Sequence, residues 1–266
     1  MSTLSVHVLD GIATLMFNRP RTLNAITAED YEKLAEVLRE VDSRTDVIAT
    51  VLQANGKWFC AGTDVKASKQ TADGPSTTTT RQAFLSSVVK SNTDCSRALY
   101  SHSKVLIAAL NGPVMAFLGL FDFVYCMPNA WLSVPFTFLG IISECGSSVS
   151  FVNRMGLSKA NEALIFGKKM DAQELLQCGF VNKIFPQQSA ESFHEAVRTY
   201  LLQQLDGLDP TAVLTVKRLI QYGINEKNSK DGTNLRESYE QAARFASGIP
   251  AERFGRIARK ELKHKL

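Results

Sequence analysis

The chain opens with two short apolar runs, Leu4 to Leu9 and Ile12 to Phe17, around Asp10-Gly11. Asp-Gly between such runs predicts a β-hairpin, because the favoured two-residue turn needs positive φ at both central positions. Asn18-Arg19-Pro20 ends the second strand. Thr27-Ala28-Glu29-Asp30 then opens a helix with an acid three residues after the capping threonine. Tyr31, Leu34, Val37, Leu38 and Val41 share one face of it. Val47 to Leu52 is apolar without polar alternation, as in a strand covered on both sides, and Asn55-Gly56 turns the chain. Ser68 to Thr80 is rich in Ser, Thr, Gly and Pro and reads as a flexible loop, a candidate lid. Arg81 to Tyr100 reads as a helix with Phe84, Leu85, Val88 and Val89 inward. Lys104 to Leu110 reads as a buried strand ended by Asn111-Gly112-Pro113, and Val114 to Phe121 as a short helix.

Further along, Phe123 to Met127 and Trp131 to Val134 have strand character. Ser147 to Met155, Ser158 to Phe166 and Asp171 to Cys178 have helical periodicity, the last capped by Asp171 with Glu174 and stopped by Gly179. Phe180 to Phe185 closes the strand-bearing part. From Ala190 onward the pattern is helical alone: Ala190 to Leu205, Thr211 to Tyr222, Asn234 to Ser247 and Pro250 to Lys263. Strand-helix units followed by helices predict one α/β core with a helical C-terminal extension.

A chain of 266 residues with 45% hydrophobic and 21% charged content supports one large core. The net charge of +4 is too small to point to nucleic acid. Much of the excess sits near the C-terminus, at Arg253, Arg256, Arg259, Lys260, Lys263 and Lys265, as a solvated helix face or a surface for an anionic small molecule. The five cysteines are odd in number and form no CxxC, which predicts free thiols in a reducing compartment. The four histidines show no metal-ligand spacing, so no metal site is expected. Val105 to Met127 is the one long apolar run, and Asn111-Gly112-Pro113 and Asp122 interrupt it, so a membrane span is not expected.

One stretch carries candidate chemistry. Leu139-Gly140-Ile141-Ile142-Ser143-Glu144-Cys145-Gly146-Ser147-Ser148 holds a lone acid among apolar and small residues. A carboxylate in such surroundings is desolvated, which raises its pKa and makes it a stronger base. The alternative is a first-turn acid favouring the dipole of a helix that starts near Ser147. Trp58-Phe59-Cys60-Ala61-Gly62-Thr63-Asp64-Val65 runs from an apolar strand into small residues, where backbone N–H groups can meet an anionic oxygen.

Phe59 to Lys66, Asn111-Gly112-Pro113, and Pro135 to Gly140 followed by Glu144 and Gly146 together resemble the signatures of the crotonase (enoyl-CoA hydratase/isomerase) superfamily. Ala160 to Ala172 and Gly179-Phe180-Val181 extend the resemblance to nearly the whole chain. Within the superfamily the chain looks most like peroxisomal Δ3,Δ2-enoyl-CoA isomerases. The resemblance implies a spiral of ββα turns with two roughly perpendicular sheets in residues 1–200, and a helical trimerisation or lid region in 201–266. It implies an acyl-CoA thioester substrate, a homotrimer or hexamer, and no cofactor beyond the coenzyme A of the substrate. Glu144 would move the double bond of a 3-enoyl-CoA to the trans-2 position, as in fatty-acid β-oxidation. The thioester oxygen would sit in an oxyanion hole made by the Thr63 N–H, within the loop Ala61, Gly62, Thr63, Asp64 and Val65, and by Phe117. Lys66 would approach the CoA moiety. The ending His264-Lys265-Leu266 resembles a C-terminal peroxisomal signal, which implies an import receptor as partner and the peroxisomal matrix as location.

Hydratases of the superfamily use two glutamates to hold and split water. Their positions here correspond to Leu120 and Phe136, while Glu144 stands where those enzymes have glycine. Dienoyl-CoA isomerases use an additional acid; Asp122 is the nearest candidate, but it fits better the Phe-Asp-x-Val-Tyr strand-start pattern that the family uses structurally. The segment from Asn111-Gly112-Pro113 to Asp122 is about four residues short for the family, or roughly 6 Å of helix. The fold is expected to survive this, and a lost second oxyanion donor would reduce activity about a hundred- to thousandfold. The alternative function is therefore an impaired or non-catalytic acyl-CoA-binding member. Thioester hydrolysis through Cys145 or Ser143 lacks a histidine nearby in sequence.

Overall fold

The computed structural model describes residues 3–64, 79–114 and 117–263. Strands β1 (Leu4–Leu9) and β2 (Ile12–Phe17) pair antiparallel through Asp10 and Gly11, both at positive φ (48° and 74°), as the Asp-Gly signal requires. Parallel strands β3 (Ala49–Ala54), β4 (Val105–Leu110), β5 (Phe123–Cys126) and a short β8 (Lys183–Ile184) extend the sheet in the order β1-β2-β3-β4-β5-β8. Every residue of β3 and β4 is buried; β4 is wholly apolar, as a strand covered on both sides requires, and β3 is apolar apart from Thr50 and Gln53.

Alternation along these strands divides the core into two layers. Leu15, Leu52, Leu106 and Ala108 face α1 (Ala28–Asp42) and α5 (Ser147–Phe166). Ile12, Val51, Ile107 and Tyr125 face Phe193, Val197 and Leu201 of α7 (Ala190–Leu205), with Val213 and Leu214 of α8 (Pro210–Lys227) alongside. A second, smaller sheet pairs β6 (Trp131–Leu132) with β7 (Met170–Asp171), and single bridges Ile26–Thr63, Cys60–Val114 and Val114–Leu132 continue it along the loops that leave β3 and β4. Those loops lie at the carboxyl ends of parallel strands, where α/β proteins place their ligands.

Helix α1 begins with the expected capping box: the Thr27 hydroxyl accepts from the Asp30 N–H, and the Asp30 carboxylate accepts from the Thr27 N–H. The same device starts α6 (Ala172–Gln177) at Asp171 and Glu174. Three sequence expectations are corrected. Arg81 to Tyr100 is not one regular helix: α2 (Thr80–Val88) and α3 (Asp94–Ser101) are joined by a π-helical turn, Val89–Thr93, and Val89 is exposed rather than inward. Among the described residues of Val114 to Phe121 there is no α-helix, and Leu118–Leu120 make a 3-10 turn. The turn is pressed onto α5, where a Cβ at Gly119 would lie 2.2 Å from Ser150 Oγ. Phe180 to Phe185 contributes only the two strand residues of β8. The periodic segments 147–155 and 158–166 are merged into α5, with non-helical Gly156 between them. Residues 68–78 of the presumed loop and the ending His264-Lys265-Leu266 lie outside the described residues.

Helix α9 (Lys230–Ala246) packs against α2 and α3, and α10 (Ile249–Ala258) against the short α4 (Phe136–Leu139). The buried side of α9 is polar: Thr233, Asn234, Glu237, Ser238 and Gln241 are all inside. Buried polar groups require partners. Theirs are the π-helical turn and the stretch around Glu144.

Candidate active site

Glu144 sits in the loop between α4 and α5. Four contacts from the C-terminal helices fix this loop: Arg253 Nε donates to the Phe138 carbonyl at 2.6 Å, Arg244 Nε to the Gly140 carbonyl at 2.6 Å, Gln241 Oε1 accepts from the Ile142 N–H at 3.1 Å, and Glu237 Oε2 from the Gly146 N–H at 2.7 Å. The Glu144 side chain is half-buried. Its Oε2 accepts from Asn92 Nδ2 at 2.6 Å and from Gln241 Nε2 at 2.8 Å. Because Gln241 spends its carbonyl oxygen on Ile142, its amide nitrogen is turned to Glu144. Glu144 Oε1 accepts no hydrogen bond among the described residues.

Asn92 belongs to the π-helical turn. Such turns commonly mark functional positions, because they redirect one side chain out of register with the rest of the helix. The turn is stabilised from α9: Asn234 Nδ2 donates to the Thr93 carbonyl at 2.9 Å, and the Thr93 and Ser238 hydroxyls share a 2.6 Å bond.

Burial is the main cause that raises the Glu144 carboxyl, to about 7, and the charge of Glu237 adds to it. The hydrogen bonds from Gln241 and Asn92 act in the opposite direction. A carboxyl tuned to that range exchanges protons well near neutral pH. The reading of residue 144 as an acid that merely favours a helix dipole does not fit, since Glu237 and not Glu144 accepts from the first amides of α5.

Tyr31 of α1 is the hub of the site. Its hydroxyl shares a 2.9 Å hydrogen bond with Thr63 Oγ1, and its ring meets the Phe117 ring edge-on at 6.3 Å. Burial lifts its phenol well above the ordinary range, and the nearby Cys145 and Glu144 lift it further. One buried side chain thus joins Thr63, Phe117 and the surroundings of Glu144.

The loop 61–64 is firmly held. The Ile26 N–H donates to the Gly62 carbonyl at 2.9 Å, the Asp64 N–H to the Ile26 carbonyl at 2.8 Å, and the Ala61 N–H to the Leu23 carbonyl at 3.0 Å. Arg19 spans Asp30 and Asp64, each at 3.1 Å. Asp64 is therefore a loop anchor. The N–H groups of Thr63 and Phe117 donate to no acceptor among the described residues. Val65 and Lys66, the remaining expected site residues, lie outside the described residues.

Leu120 and Phe136 both pack on the main apolar core. Asp122 accepts from the Leu106 N–H at 2.7 Å and pairs with Lys217 at 2.6 Å, which makes it a strand-start anchor. Cys145 is buried, and its thiol is held well above the ordinary range first by burial and then by Glu144, so it is no nucleophile at neutral pH. Trp58 and Trp131 pack on one another edge-on at 5.1 Å. Asn92 and Gln241 were not singled out by sequence, and Tyr31 was placed only on the apolar face of α1. The available signal for Gln241 was polar residues at helical spacing on α9, where an apolar stripe is the rule.

The enoyl-CoA hydratase/isomerase family model matches residues 8–244. The chain is 36% identical to the Delta(3,5)-Delta(2,4)-dienoyl-CoA isomerase of Pyricularia oryzae, over 98% of each chain. It is 33% identical to the 3,2-trans-enoyl-CoA isomerase of Saccharomyces cerevisiae, over 93% of this chain and 91% of that one. The peroxisomal enoyl-CoA delta isomerase 3 of Mus musculus is 30% identical over 96% of this chain and 77% of its own. Among solved structures, an enoyl-CoA hydratase/isomerase from Pseudoalteromonas atlantica aligns over 100% of both chains with a TM-score of 0.83 and 27% identity. By its α/β architecture and by similarity along nearly its full length, the chain belongs to the enoyl-CoA hydratase/isomerase (crotonase) family.

Proposed function

We propose that the chain is an enoyl-CoA isomerase that converts 3-enoyl-CoA to trans-2-enoyl-CoA in fatty-acid β-oxidation. The observation that carries the reading is the Glu144 carboxylate: one oxygen is fixed by Asn92 and Gln241, the other is open, and its basicity is raised to about 7. Oε1 takes a proton from C2. The C2–H electron pair forms the C1–C2 double bond, and the carbonyl pair moves onto the thioester oxygen. The N–H groups of Thr63 and Phe117 meet that charge, a role worth a few kcal/mol per donor in a dry site. The oxygen pair then restores the carbonyl, a C2–C3 double bond forms, and the C3–C4 pair takes the proton back from Glu144 at C4. One carboxyl serves both steps because the proton removed is the proton returned.

Hydration is disfavoured by Leu120 and Phe136, which offer no second carboxylate to split water. Dienoyl-CoA isomerisation is named for the relative from Pyricularia oryzae. The nearest candidate for its additional acid, Asp122, is engaged by Lys217 and Leu106 as the structural strand-start reading expects, which favours the mono-unsaturated substrate. Against the impaired, binding-only reading stands Phe117, which remains buried beside Tyr31 although its segment is short. The name of the mouse relative and the His264-Lys265-Leu266 ending support a peroxisomal location. Exposed Val216, Leu219 and Ile220 on α8 favour a homotrimer or hexamer.

The test is turnover of a short 3-enoyl-CoA, followed by absorbance of the conjugated thioester, in the wild type and in Glu144→Gln. Loss of a general base predicts a rate lower by about a hundred- to ten-thousandfold. Equal rates would remove Glu144 from the mechanism. No turnover by the wild type would favour the binding reading.

A further inference from the structure

A second carboxylate, Glu237 of α9, lies buried close to Glu144 and is unused by the proton transfer itself. Its Oε2 accepts from the Gly146 N–H at 2.7 Å; its Oε1 accepts from the Ser148 N–H at 3.0 Å and from the Ser148 hydroxyl. Gly146 is the N-cap of α5 and carries no capping side chain of its own, so an acid from a distant helix performs the cap. These amides lie two and four residues after Glu144 in the chain.

The consequence is electrostatic. Free N–H groups at a helix start stabilise any nearby anion. Left open, those of α5 would draw the Glu144 carboxylate towards them and weaken it as a base. We propose that Glu237 is the positioning residue for Glu144: by occupying the first amides of α5 it keeps the helix terminus from neutralising the base, and it fixes the loop on which the base sits. This rests on the isomerase reading for its purpose, but not for its geometry.

The two acids are thereby made unequal. Burial raises the Glu237 carboxyl above its ordinary value, but three donors at a positive helix end and the charge of Arg236 act against that rise and favour its anion. Glu144 has two neutral amide donors, from Asn92 and Gln241, and faces the charge of Glu237. The other titratable neighbours are Tyr31 of α1 and Cys145 of the loop, with Cys95 of α3 beside Cys145, all buried. Two carboxyls with environments that push their protonation apart divide into a fixed anion and a working base.

The test is a carbon-13 NMR titration of the glutamate side-chain carboxyls, with Glu144→Gln and Glu237→Asp used to assign the two signals. In the wild type Glu237 ionises first and Glu144 last. In Glu237→Gln the Glu144 midpoint falls by about one pH unit, since a neighbouring negative charge is gone. The acid limb of kcat/KM moves down with it. In Glu237→Asp, which keeps the charge, the midpoint stays and kcat drops as the loop loses its register. A reversed order of ionisation in the wild type overturns the proposal, as does a Glu144 midpoint unmoved in Glu237→Gln. A purely structural role would lower the melting temperature and kcat without moving either midpoint. Because the titration needs no turnover, its failure is distinguishable from failure of the isomerase reading.

Discussion

Asn92→Ala removes one of the two donors to Glu144 Oε2, a bond of 2.6 Å. The π-helical turn itself is held by the Thr93 hydroxyl and by Asn234 and Ser238 of α9, so the backbone is expected to stay in place. A hydrogen bond to a charged group contributes about 1.5–3 kcal/mol. At about 1.36 kcal/mol per pH unit, its loss would raise the carboxyl by about one to two units. Water entering the vacated space replaces part of the bond, so the lower end applies. Starting from about 7, the Glu144 midpoint is expected near 8. In the proposed mechanism the base must be deprotonated, so activity is expected to rise with pH through this midpoint, and the variant to need a more alkaline medium for the same rate. The assay is kcat/KM for a 3-enoyl-CoA against pH, with circular dichroism as the control for folding. An acid limb that stays at its wild-type position, or moves down, would refute the reasoning. The opposite sign is expected for Glu237→Gln.

Three further outcomes follow from the same contacts. Glu144→Gln should stabilise the fold at pH 8 by about 2–3 kcal/mol, since a carboxyl whose folded value lies above its unfolded one binds its proton more tightly when folded; this contribution is present in acid and lost as pH rises through about 7, so melting temperatures should differ at pH 8 and converge at pH 4. Gly119→Ala should lower stability by about 1–3 kcal/mol in denaturant titration, because a Cβ would meet Ser150 and Phe151 of α5. Tyr31→Phe removes the hydroxyl bound to Thr63; a loss of about 1 kcal/mol in holding the loop should appear as a roughly fivefold fall in kcat/KM, with the thermal midpoint changed little.

The strands and the first helix were legible because their signals are local. Asp10-Gly11 fixes the hairpin, and Thr27 with Asp30 fixes the start of α1. Glu144 stood out because an acid in an apolar run has few structural reasons to be there, and its burial is what raises it. Asn92 was hidden, since nothing in residues 81–100 announces a π-helical turn whose partners lie on α9, about 140 residues on. Gln241 and Glu237 were hidden for the same reason: their roles exist only once α9 has packed across the loop before α5. The failed helix at Val114 to Phe121 shows the converse. Its apolar pattern suits a helix, but its described residues make a 3-10 turn whose Gly119 packs directly on α5, a contact the pattern does not announce.

The most direct test uses 3-enoyl-CoA deuterated at C2, turned over in ordinary water, with the product analysed by mass spectrometry for deuterium at C4. A single carboxyl that removes and returns the same proton predicts deuterium at C4 in a measurable fraction of the product, and none of that transfer in Glu144→Gln. Product formed at the wild-type rate with only protium at C4, or transfer that persists in Glu144→Gln, would contradict it.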